Sequence, residues 1–176
     1  MSSKTLNWTV IGTPIKDLVV LATASGIARI AWDRPNPEAF AASEAERLGL
    51  GIPTHEDSEL LTLARSQLQA WLQGELQSFD LPLSPDPRVG ATFSSRVLSA
   101  TSQIPRGQTL TYGQIAALAG NAAGARAAGN ALGANPIPII IPCHRIVAAD
   151  GLGGFGGGSE RKQLLLELEG VNLPPS

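Results

Sequence analysis

Short apolar runs open the chain and predict a small β-sheet. The runs at residues 8–11, 18–24 and 27–32 are bounded by turn-forming residues, and Ser25-Gly26 joins the last two. A polar connection follows these runs. Apolar residues then recur at helical spacing, at Leu60, Leu61, Ala64, Leu68, Trp71 and Leu72. The pattern predicts a sheet with one helix packed against it.

A proline-rich segment separates this region from the rest of the chain. Residues 81–87 contain three prolines, which exclude a helix or a central strand because proline has no N–H donor. We therefore predict an N-terminal domain at residues 1–80, a linker at 81–87 and a C-terminal domain at 88–176.

The apolar pattern after the linker is helical. A first helix is predicted from the spacing of Phe93, Val97, Leu98 and Ile104. Residues 105–107 end this helix. Thr111 and Gln114 have the spacing of a capping box, in which each side chain satisfies a free backbone amide of the next helix. We expect that helix to end at Gly120.

A second short helix is predicted directly afterwards, with Asn121 as its cap and an extent from residue 122 to about residue 132. Two short helices joined by a Gly-Asn turn indicate a helix-turn-helix. The second helix is almost all alanine and glycine, and Arg126 is its single long cation. Such a surface suits close approach to a DNA groove or, equally, tight packing against a neighbouring helix.

Cys143 follows the apolar run at residues 137–141, which predicts a buried strand bounded by prolines. A thiol followed by His144 is a candidate nucleophile, because the thiolate attacks and a histidine can accept its proton. The alternative is a small buried hydrophobic residue, since adjacent strand residues point to opposite faces.

Composition narrows the setting of this thiol. The 176 residues are 43% hydrophobic, enough for one good-sized domain or two small ones, and a single cysteine excludes an internal disulfide framework. No cysteine or histidine cluster has metal-ligand spacing, so we expect no metal and no cofactor. The amino terminus lacks the apolar core of a signal peptide, and no apolar stretch is long enough to span a bilayer. We expect a soluble cytoplasmic protein.

Charge divides the chain at the same place as the prolines do. Up to Pro87, six basic residues face eleven acidic ones, for a net charge of −5, whereas from Arg88 onward seven basic residues face four acidic ones, for +3. A modestly basic second half can meet a polyanion. It is too weakly charged to bind nucleic acid by charge alone.

Several motifs together resemble the O6-alkylguanine-DNA alkyltransferases, also called methylated-DNA-protein-cysteine methyltransferases. The active-site signature is matched by residues 135–147, the upstream motifs by residues 111–113 and 125–127, and the downstream ones by the glycine loop, Leu164-Leu165 and Glu169-Gly170. The resemblance covers roughly residues 88–171. It implies a mixed α/β (α+β) fold, with a ribonuclease-H-like N-terminal domain and a mainly helical, winged helix-turn-helix-like C-terminal domain.

The resemblance also implies the chemistry. Family members flip the damaged guanine out of the duplex and transfer its alkyl group irreversibly, in a single turnover, to a cysteine, here Cys143. His144 would take the thiol proton through a water, and Glu169 would orient the imidazole. The sequence by itself does not choose between Glu167 and Glu169 as the buried carboxylate.

The remaining roles follow from the same resemblance. Tyr112 would press on the target phosphate, and Arg126 would fill the vacated base stack from a helix whose Ala125 and Gly129 approach the minor groove. Asn135 would form a hinge between this helix and the active site. The expected partner is double-stranded DNA containing O6-alkylguanine. The protein is expected to be a monomer, and cooperative assembly on DNA is left open.

The glycine loop at residues 151–157 contains a G-x-G-x-x-G pattern, but the remaining chain is too short for a dinucleotide-binding unit. Its glycines instead let backbone amides approach a flat base. The resemblance assigns the substrate pocket to Pro138, Val147, Phe155, Gly156 and Gly157. Many relatives have tyrosine at Phe155 and serine or alanine at Gly156, so two hydroxyl groups are absent here. The carboxyl-terminal helix, at 160–169, is expected to be capped by Ser159.

Three other functions remain open. A non-catalytic lesion-binding relative would lack the cysteine that this chain retains. A helix-turn-helix transcription regulator would need side chains that read base edges. A cysteine hydrolase would need an oxyanion hole and would turn over repeatedly.

Overall fold

A computed structural model describes residues 5–84 and 92–173. The chain divides into two compact units, Met1–Pro87 and Arg88–Ser176. Residues 85–87 of the predicted linker lie outside the described residues. Within the described ranges, no helix combines the length and apolar character needed to cross a membrane.

The N-terminal unit contains a four-stranded sheet with the strand order β3-β2-β1-β4. Its strands are β1 (Asn7–Ile11), β2 (Leu18–Thr23), β3 (Gly26–Trp32) and β4 (Thr54–His55). Strand β2 is antiparallel to β1 and β3, whereas β4 is parallel to β1. The predicted turn between β2 and β3 is wrong by one residue. Thr23 pairs with Gly26, so the two turn residues are Ala24 and Ser25.

Two helices accompany this sheet, although the sequence pattern predicts only one. Helix α2 (Glu59–Leu72) is confirmed, and its buried face is the predicted one. Helix α1 (Pro37–Leu48) lies where a polar connection is predicted, and that prediction is wrong. Its buried face combines Ala41 and Ala45 with the charged Glu44, and Phe40 packs only partly against the core, so the apolar period is weak.

The first part of the predicted linker is hydrogen-bonded to the sheet. The N–H of Ile27 donates to the carbonyl of Pro82 at 2.8 Å, and the N–H of Ser84 donates to the carbonyl of Ile27 at 2.9 Å. Residues 82–84 therefore run along the exposed edge of β3. Proline is tolerated there because an edge segment does not need every N–H donor.

The C-terminal unit is mainly helical. Its elements are α3 (Phe93–Ser102), β5 (Leu110–Thr111), α4 (Tyr112–Leu118), α5 (Ala125–Gly133), a 3-10 helix (Cys143–Arg145), β6 (Ile146–Val147) and α6 (Ser159–Leu168). Helices α3, α4 and α5 pack around one apolar core, and β5 pairs in parallel with β6. The capping box of Thr111 and Gln114 is confirmed.

Two predicted helix caps are wrong. Helix α5 begins at Ala125, three residues later than predicted, because the carbonyl of Asn121 accepts from the N–H of Gly124 and closes a turn. Asn121 therefore caps no helix. Helix α6 begins at Ser159 with Gly158 as the preceding residue, and no side chain caps it.

The predicted buried strand at residues 137–141 is also wrong. The segment forms a tight turn, in which the N–H of Ile141 donates to the carbonyl of Ile137 at 2.9 Å. Ile139 has a φ of 74°, in the left-handed region that isoleucine rarely adopts. The prolines at positions 136, 138 and 142 remove backbone donors, so the run cannot pair as a strand.

Candidate active site

Cys143 opens the 3-10 helix that follows this turn. It is 8% exposed, and its N–H donates to the carbonyl of Ile141 at 2.8 Å. The side chain of Asn135 closes the turn from inside, donating to the Ile141 carbonyl at 2.8 Å and accepting from the N–H of Ile137 at 3.0 Å. One side chain thus links the end of α5 to the backbone that carries the thiol.

His144 and Glu169 form a buried pair next to the thiol. The imidazole is completely buried, and its Nε2 lies 2.9 Å from Oε1 of Glu169. Burial lowers the pKa of His144, and this outweighs the opposing effect of the Glu169 carboxylate. The imidazole is therefore neutral near pH 7 and can accept a proton. Because Glu169 binds Nε2, the nitrogen available for proton exchange on the other side of the ring is Nδ1.

Glu169 is held as a carboxylate by several donors. Arg145 donates to it through Nη2 at 2.7 Å and through Nε at 3.0 Å, and the N–H of Gly107 donates at 3.2 Å. Burial raises the pKa of Glu169, but the hydrogen bonds from His144 and Arg145 outweigh burial and lower it to about 2. Glu167, the other candidate carboxylate, is exposed and accepts from Gln163 instead.

Arg145 connects this carboxylate to the end of α3. Its guanidinium is almost fully buried, and it donates through Nη1 to the carbonyl of Ile104 as well as to Glu169. Arg106 donates to the carbonyl of Leu168 at 2.7 Å and thereby fixes the end of α6 beside the same loop. The position of Glu169 is thus determined by two arginines on separate segments.

A cavity of about 300 Å³ opens in front of Cys143. Its lining consists of Tyr112, Gly129, Leu132, Gly133, Cys143, Gly154, Phe155 and Gly156. The Tyr112 hydroxyl donates to the carbonyl of Gly154 at 2.9 Å. Burial raises the pKa of Tyr112, so the phenol keeps its proton and remains a hydrogen-bond donor.

Lys162 is a buried charged residue beside the cavity that the sequence pattern did not predict. It is completely buried, and its Nζ donates to the carbonyls of Ile146 at 2.5 Å and Gly154 at 3.0 Å. The same Nζ lies 5.7 Å from the centroid of the Tyr112 ring. Burial lowers the pKa of Lys162 to about 8, against the opposing effect of Cys143. In the sequence, Lys162 falls on the leucine face of α6. Because buried lysines are rare, that position could have indicated a special role.

Opposing effects act on the pKa of the Cys143 thiol. Burial raises the pKa of Cys143, whereas hydrogen bonding from Asn135 and the charge of Lys162 lower it. Burial is the largest effect, so the resting side chain is a protonated thiol. Such a thiol needs a base to become a nucleophile, and the neutral His144 is the adjacent candidate.

Comparisons with known proteins match both units of the chain. Residues 6–85 match the family model of the 6-O-methylguanine DNA methyltransferase ribonuclease-like domain, and residues 92–171 match that of the DNA-binding domain. A methylated-DNA–protein-cysteine methyltransferase from Haemophilus influenzae is 34% identical over 174 residues, covering 94% of this chain and 87% of its own. The chain belongs to the methylated-DNA–protein-cysteine methyltransferase family.

Further methyltransferases of this family support the assignment. The protein from Methanosarcina acetivorans is 46% identical over 116 residues, covering 65% of this chain and 72% of its own. The crystal structure of the Mycobacterium tuberculosis O6-methylguanine methyltransferase is 36% identical, with a TM-score of 0.75 and coverage of 93% of this chain and 92% of that one. The predicted fold class is confirmed, and the chain is an enzyme that transfers alkyl groups from methylated DNA to a protein cysteine.

Of the four residues that the resemblance assigns to DNA, Tyr112 is the first residue of α4, and the other three lie on α5 of this methyltransferase. Ala125 is the first residue of the helix, and Arg126 is exposed in its first turn. Gly129 is one turn further on, where a Cβ would lie 3.7 Å from the Tyr112 ring. Gly129 thus belongs to the cavity wall, whereas Arg126 projects from the surface.

Among the residues predicted to form the methyltransferase pocket, only Phe155 and Gly156 line the cavity. Val147 packs instead against Leu152 and Leu166 in a separate apolar cluster. Pro138 is buried in the turn before Cys143. Gly157 lies against Phe155, whose ring would be 2.7 Å from an added Cβ. The lining residues that the prediction missed are Leu132, Gly133 and Gly154.

Proposed function

We propose that this methyltransferase repairs DNA by transferring the alkyl group of O6-alkylguanine irreversibly, in a single turnover, to Cys143. The observation that carries the proposal is a buried thiol at the wall of a cavity, followed in the chain by a neutral His144 that is paired with an ionised Glu169. Each group has the protonation state that an alkyl transfer to sulfur requires.

The proposed step is a displacement at the alkyl carbon. His144 takes the thiol proton through a bridging water, and the Cys143 sulfur forms a bond to the carbon as the bond from that carbon to O6 breaks. The electron pair of the broken bond stays on the guanine, which takes up one proton. In the proposal, the Tyr112 hydroxyl exchanges its bond to the Gly154 carbonyl for one to the guanine, passes the proton on and takes a replacement proton from solvent. Glu169 stabilises the positive charge that develops on the imidazole.

Single turnover follows from the chemistry of the product. The thioether formed on Cys143 has no leaving group that water displaces at neutral pH, and the chain has no second cysteine to accept the alkyl group. The protein is therefore consumed in the reaction. A hydrolase would instead regenerate its thiol, and a lesion-binding protein would leave it unmodified.

DNA is proposed to bind along the helix-turn-helix formed by α4 and α5. The small residues of α5 allow close approach to the minor groove, and the exposed Arg126 enters the stack where the damaged base leaves it. Extruding a base costs a few kcal/mol, which an inserted side chain offsets. A similar protein, the Mycobacterium tuberculosis OGT, has been crystallised in complex with DNA, at 36% identity and a TM-score of 0.76 over 93% of each chain.

The protein acts as a monomer in this proposal, because one chain contains both the acceptor and the proposed DNA-binding helices. A reducing compartment such as the cytoplasm suits its single reactive thiol. Cooperative assembly on DNA is a separate property, which titration of long and short duplexes would reveal as a difference in affinity per site.

The experiment that tests the proposal compares the wild type with Cys143→Ala on a duplex carrying one O6-methylguanine with a radiolabelled methyl group. We expect the label to move to the wild-type protein and not to the variant, while fluorescence anisotropy shows that both bind the duplex. Label on the Cys143→Ala protein would refute Cys143 as the acceptor. Binding without transfer by the wild type would favour a lesion-binding protein.

A further inference from the structure

A surface turn contacts the carboxylate of the buried pair. The turn spans residues 105–108, and a hydrogen bond of 3.2 Å from its last N–H to its first carbonyl closes it. Gly107 is exposed, and its N–H donates to Oε2 of Glu169 at 3.2 Å. The other carboxylate oxygen, Oε1, lies 2.9 Å from Nε2 of His144. One carboxylate thus connects the surface turn to the buried imidazole.

The backbone of Gly107 identifies the type of this turn. Its φ is 78°, whereas the φ of Arg106 is negative. A hydrogen-bonded turn with a positive φ only at its third residue is type II. A type I turn has its central peptide turned over by roughly half a rotation. In that form, the carbonyl of Arg106 would point where the N–H of Gly107 now points.

The direction of this peptide matters because the carboxylate is ionised. The N–H presents the positive end of its dipole to Oε2 of Glu169, whereas a carbonyl oxygen would present a partial negative charge. Hydrogen bonds to charged groups contribute more than neutral ones. Replacing this bond by repulsion would displace the carboxylate and lengthen its contact with His144.

Neighbouring contacts place the turn at the end of α6. The guanidinium of Arg106 donates to the carbonyl of Leu168 at 2.7 Å, and the carbonyl of Ile104 accepts from Arg145. Neither contact uses the central peptide of the turn. The residue at position 107 therefore decides the direction of that peptide, because most L-residues avoid a left-handed φ.

We propose that Gly107 is a positioning residue for alkyl transfer: its left-handed backbone aims the N–H at Glu169 and so holds the carboxylate against His144. This inference rests on the proposed function, in which His144 accepts the thiol proton. Gly107 is not one of the cavity-lining residues, so its effect falls on the transfer step and not on binding of the base.

The test compares Gly107→Val with Gly107→Asn. Both add a Cβ at 3.2 Å from the carbonyl oxygen of Glu169, but asparagine tolerates a left-handed φ far better than the β-branched valine. Free O6-benzylguanine at saturating concentration gives the transfer rate without a contribution from DNA binding. We expect Gly107→Val to lower this rate by about tenfold or more, the equivalent of one hydrogen bond to a charged group. The concentration for half-maximal rate should not change, and Gly107→Asn should recover most of the wild-type rate.

Proton NMR gives a second readout. The Nε2 proton of His144, hydrogen-bonded to Glu169, should resonate far downfield, and we expect Gly107→Val to move this resonance upfield and Gly107→Asn to keep it. Gly49→Val is the control for backbone strain, at a left-handed glycine of the N-terminal unit where an added Cβ meets no atom within 4 Å. It should lower the free energy of unfolding without changing the transfer rate or the resonance.

The outcomes separate the two proposals. Equal losses in Gly107→Val and Gly107→Asn, or a wild-type rate in folded Gly107→Val, would overturn the role of Gly107. Circular dichroism checks that each variant is folded. If Gly107→Val does not fold, Gly107→Ala also disfavours the left-handed φ with a smaller side chain, and the same loss is expected. Absence of transfer to the wild type from both the free base and an O6-methylguanine duplex would instead overturn the proposed function.

Discussion

Buried charge is arranged differently in the two units of the chain. In the N-terminal unit, the buried carboxylate of Glu44 lies 2.7 Å from Nε of Arg47 and 3.8 Å from Nε of Arg29, and both arginines are partly exposed. In the C-terminal unit, ionisable side chains are buried in contact with one another or beside the thiol: His144, Arg145, Lys162 and Glu169.

The difference indicates which buried charges serve function. The partly exposed arginines beside Glu44 keep contact with water, so these ion pairs lose little hydration. The buried groups of the C-terminal unit lose their hydration and need several hydrogen bonds each. Burying charge in this way is costly, and such groups are common where the charge contributes to function as well as to stability. The unit with the deeper charges is also the unit that carries Cys143, the proposed alkyl acceptor. We therefore expect charge removal to affect chemistry in one unit and stability alone in the other.

Removing the carboxylate beside His144 should have the largest effect. In Glu169→Gln, the imidazole loses the negative charge that stabilises its protonated form. We expect the rate of methyl transfer to fall by about 10² to 10⁴, the range typical of general acid-base catalysis. Single-turnover measurements with an O6-methylguanine duplex would determine the rate. Glu167→Gln, an exposed change two residues earlier in the last turn of α6, is the matched control, and a similar loss in both variants would contradict the assigned role.

Arg126→Ala should slow repair of duplex DNA without slowing the reaction of the thiol with a free base. Without the inserted side chain, the cost of base extrusion is no longer offset, and we expect duplex repair to slow by ~10-fold to 100-fold. Reaction with free O6-benzylguanine should be unchanged, because no base leaves a stack. Arg34→Ala removes an exposed cation from the other unit and controls for net charge. Equal losses on duplex and free base would argue against the insertion of Arg126.

Lys162→Met tests the buried cation behind Tyr112. The Lys162 charge lowers the pKa of Cys143, so its removal should raise that pKa and move the pH-rate profile to higher pH. We expect transfer near pH 7 to slow, because a smaller fraction of the thiol is ionised at that pH. The profile would be recorded with free O6-benzylguanine. Gln163→Met, on the next, exposed residue, is the control, and an unshifted profile for Lys162→Met would show that the lysine is only structural.

Glu44→Gln should have the smallest effect on repair. The change removes a charge that two arginines contact, and we expect the free energy of unfolding to fall by about 1 to 3 kcal/mol. The rate of methyl transfer by the folded protein should be unchanged. Urea denaturation and a transfer assay measure the two quantities separately. A slower transfer step in this variant would remove the distinction between the two units.

Local signals in the sequence were sufficient for much of the fold. The capping box of Thr111 and Gln114 was predictable because both partners belong to one helical turn. Helix α1 was missed because two alanines and Glu44 form its buried face, although Asn36 caps its start and Gly49 ends it in a left-handed conformation. The apolar run before Cys143 was misassigned because its hydrophobicity outweighed the three prolines that prevent strand pairing.

The candidate site was less predictable, because its contacts join distant segments. Cys143 and His144 are adjacent in the sequence, so their chemistry could be predicted from it. Identifying Glu169 rather than Glu167 as the buried carboxylate requires the contact with Arg145, 24 residues away. Lys162 contacts the Tyr112 ring and the Gly154 carbonyl only when α6 is packed against the glycine loop. No local pattern records such a contact.

The central claim is that Cys143 is the alkyl acceptor and is consumed in the reaction. Intact mass spectrometry after incubation with excess O6-methylguanine duplex, followed by peptide mapping, tests it directly. The account predicts the mass gain of a single methyl group per protein, located on Cys143, with no further gain over time. A methyl group on another residue, or continued loss of O6-methylguanine without a mass gain on the protein, would contradict it.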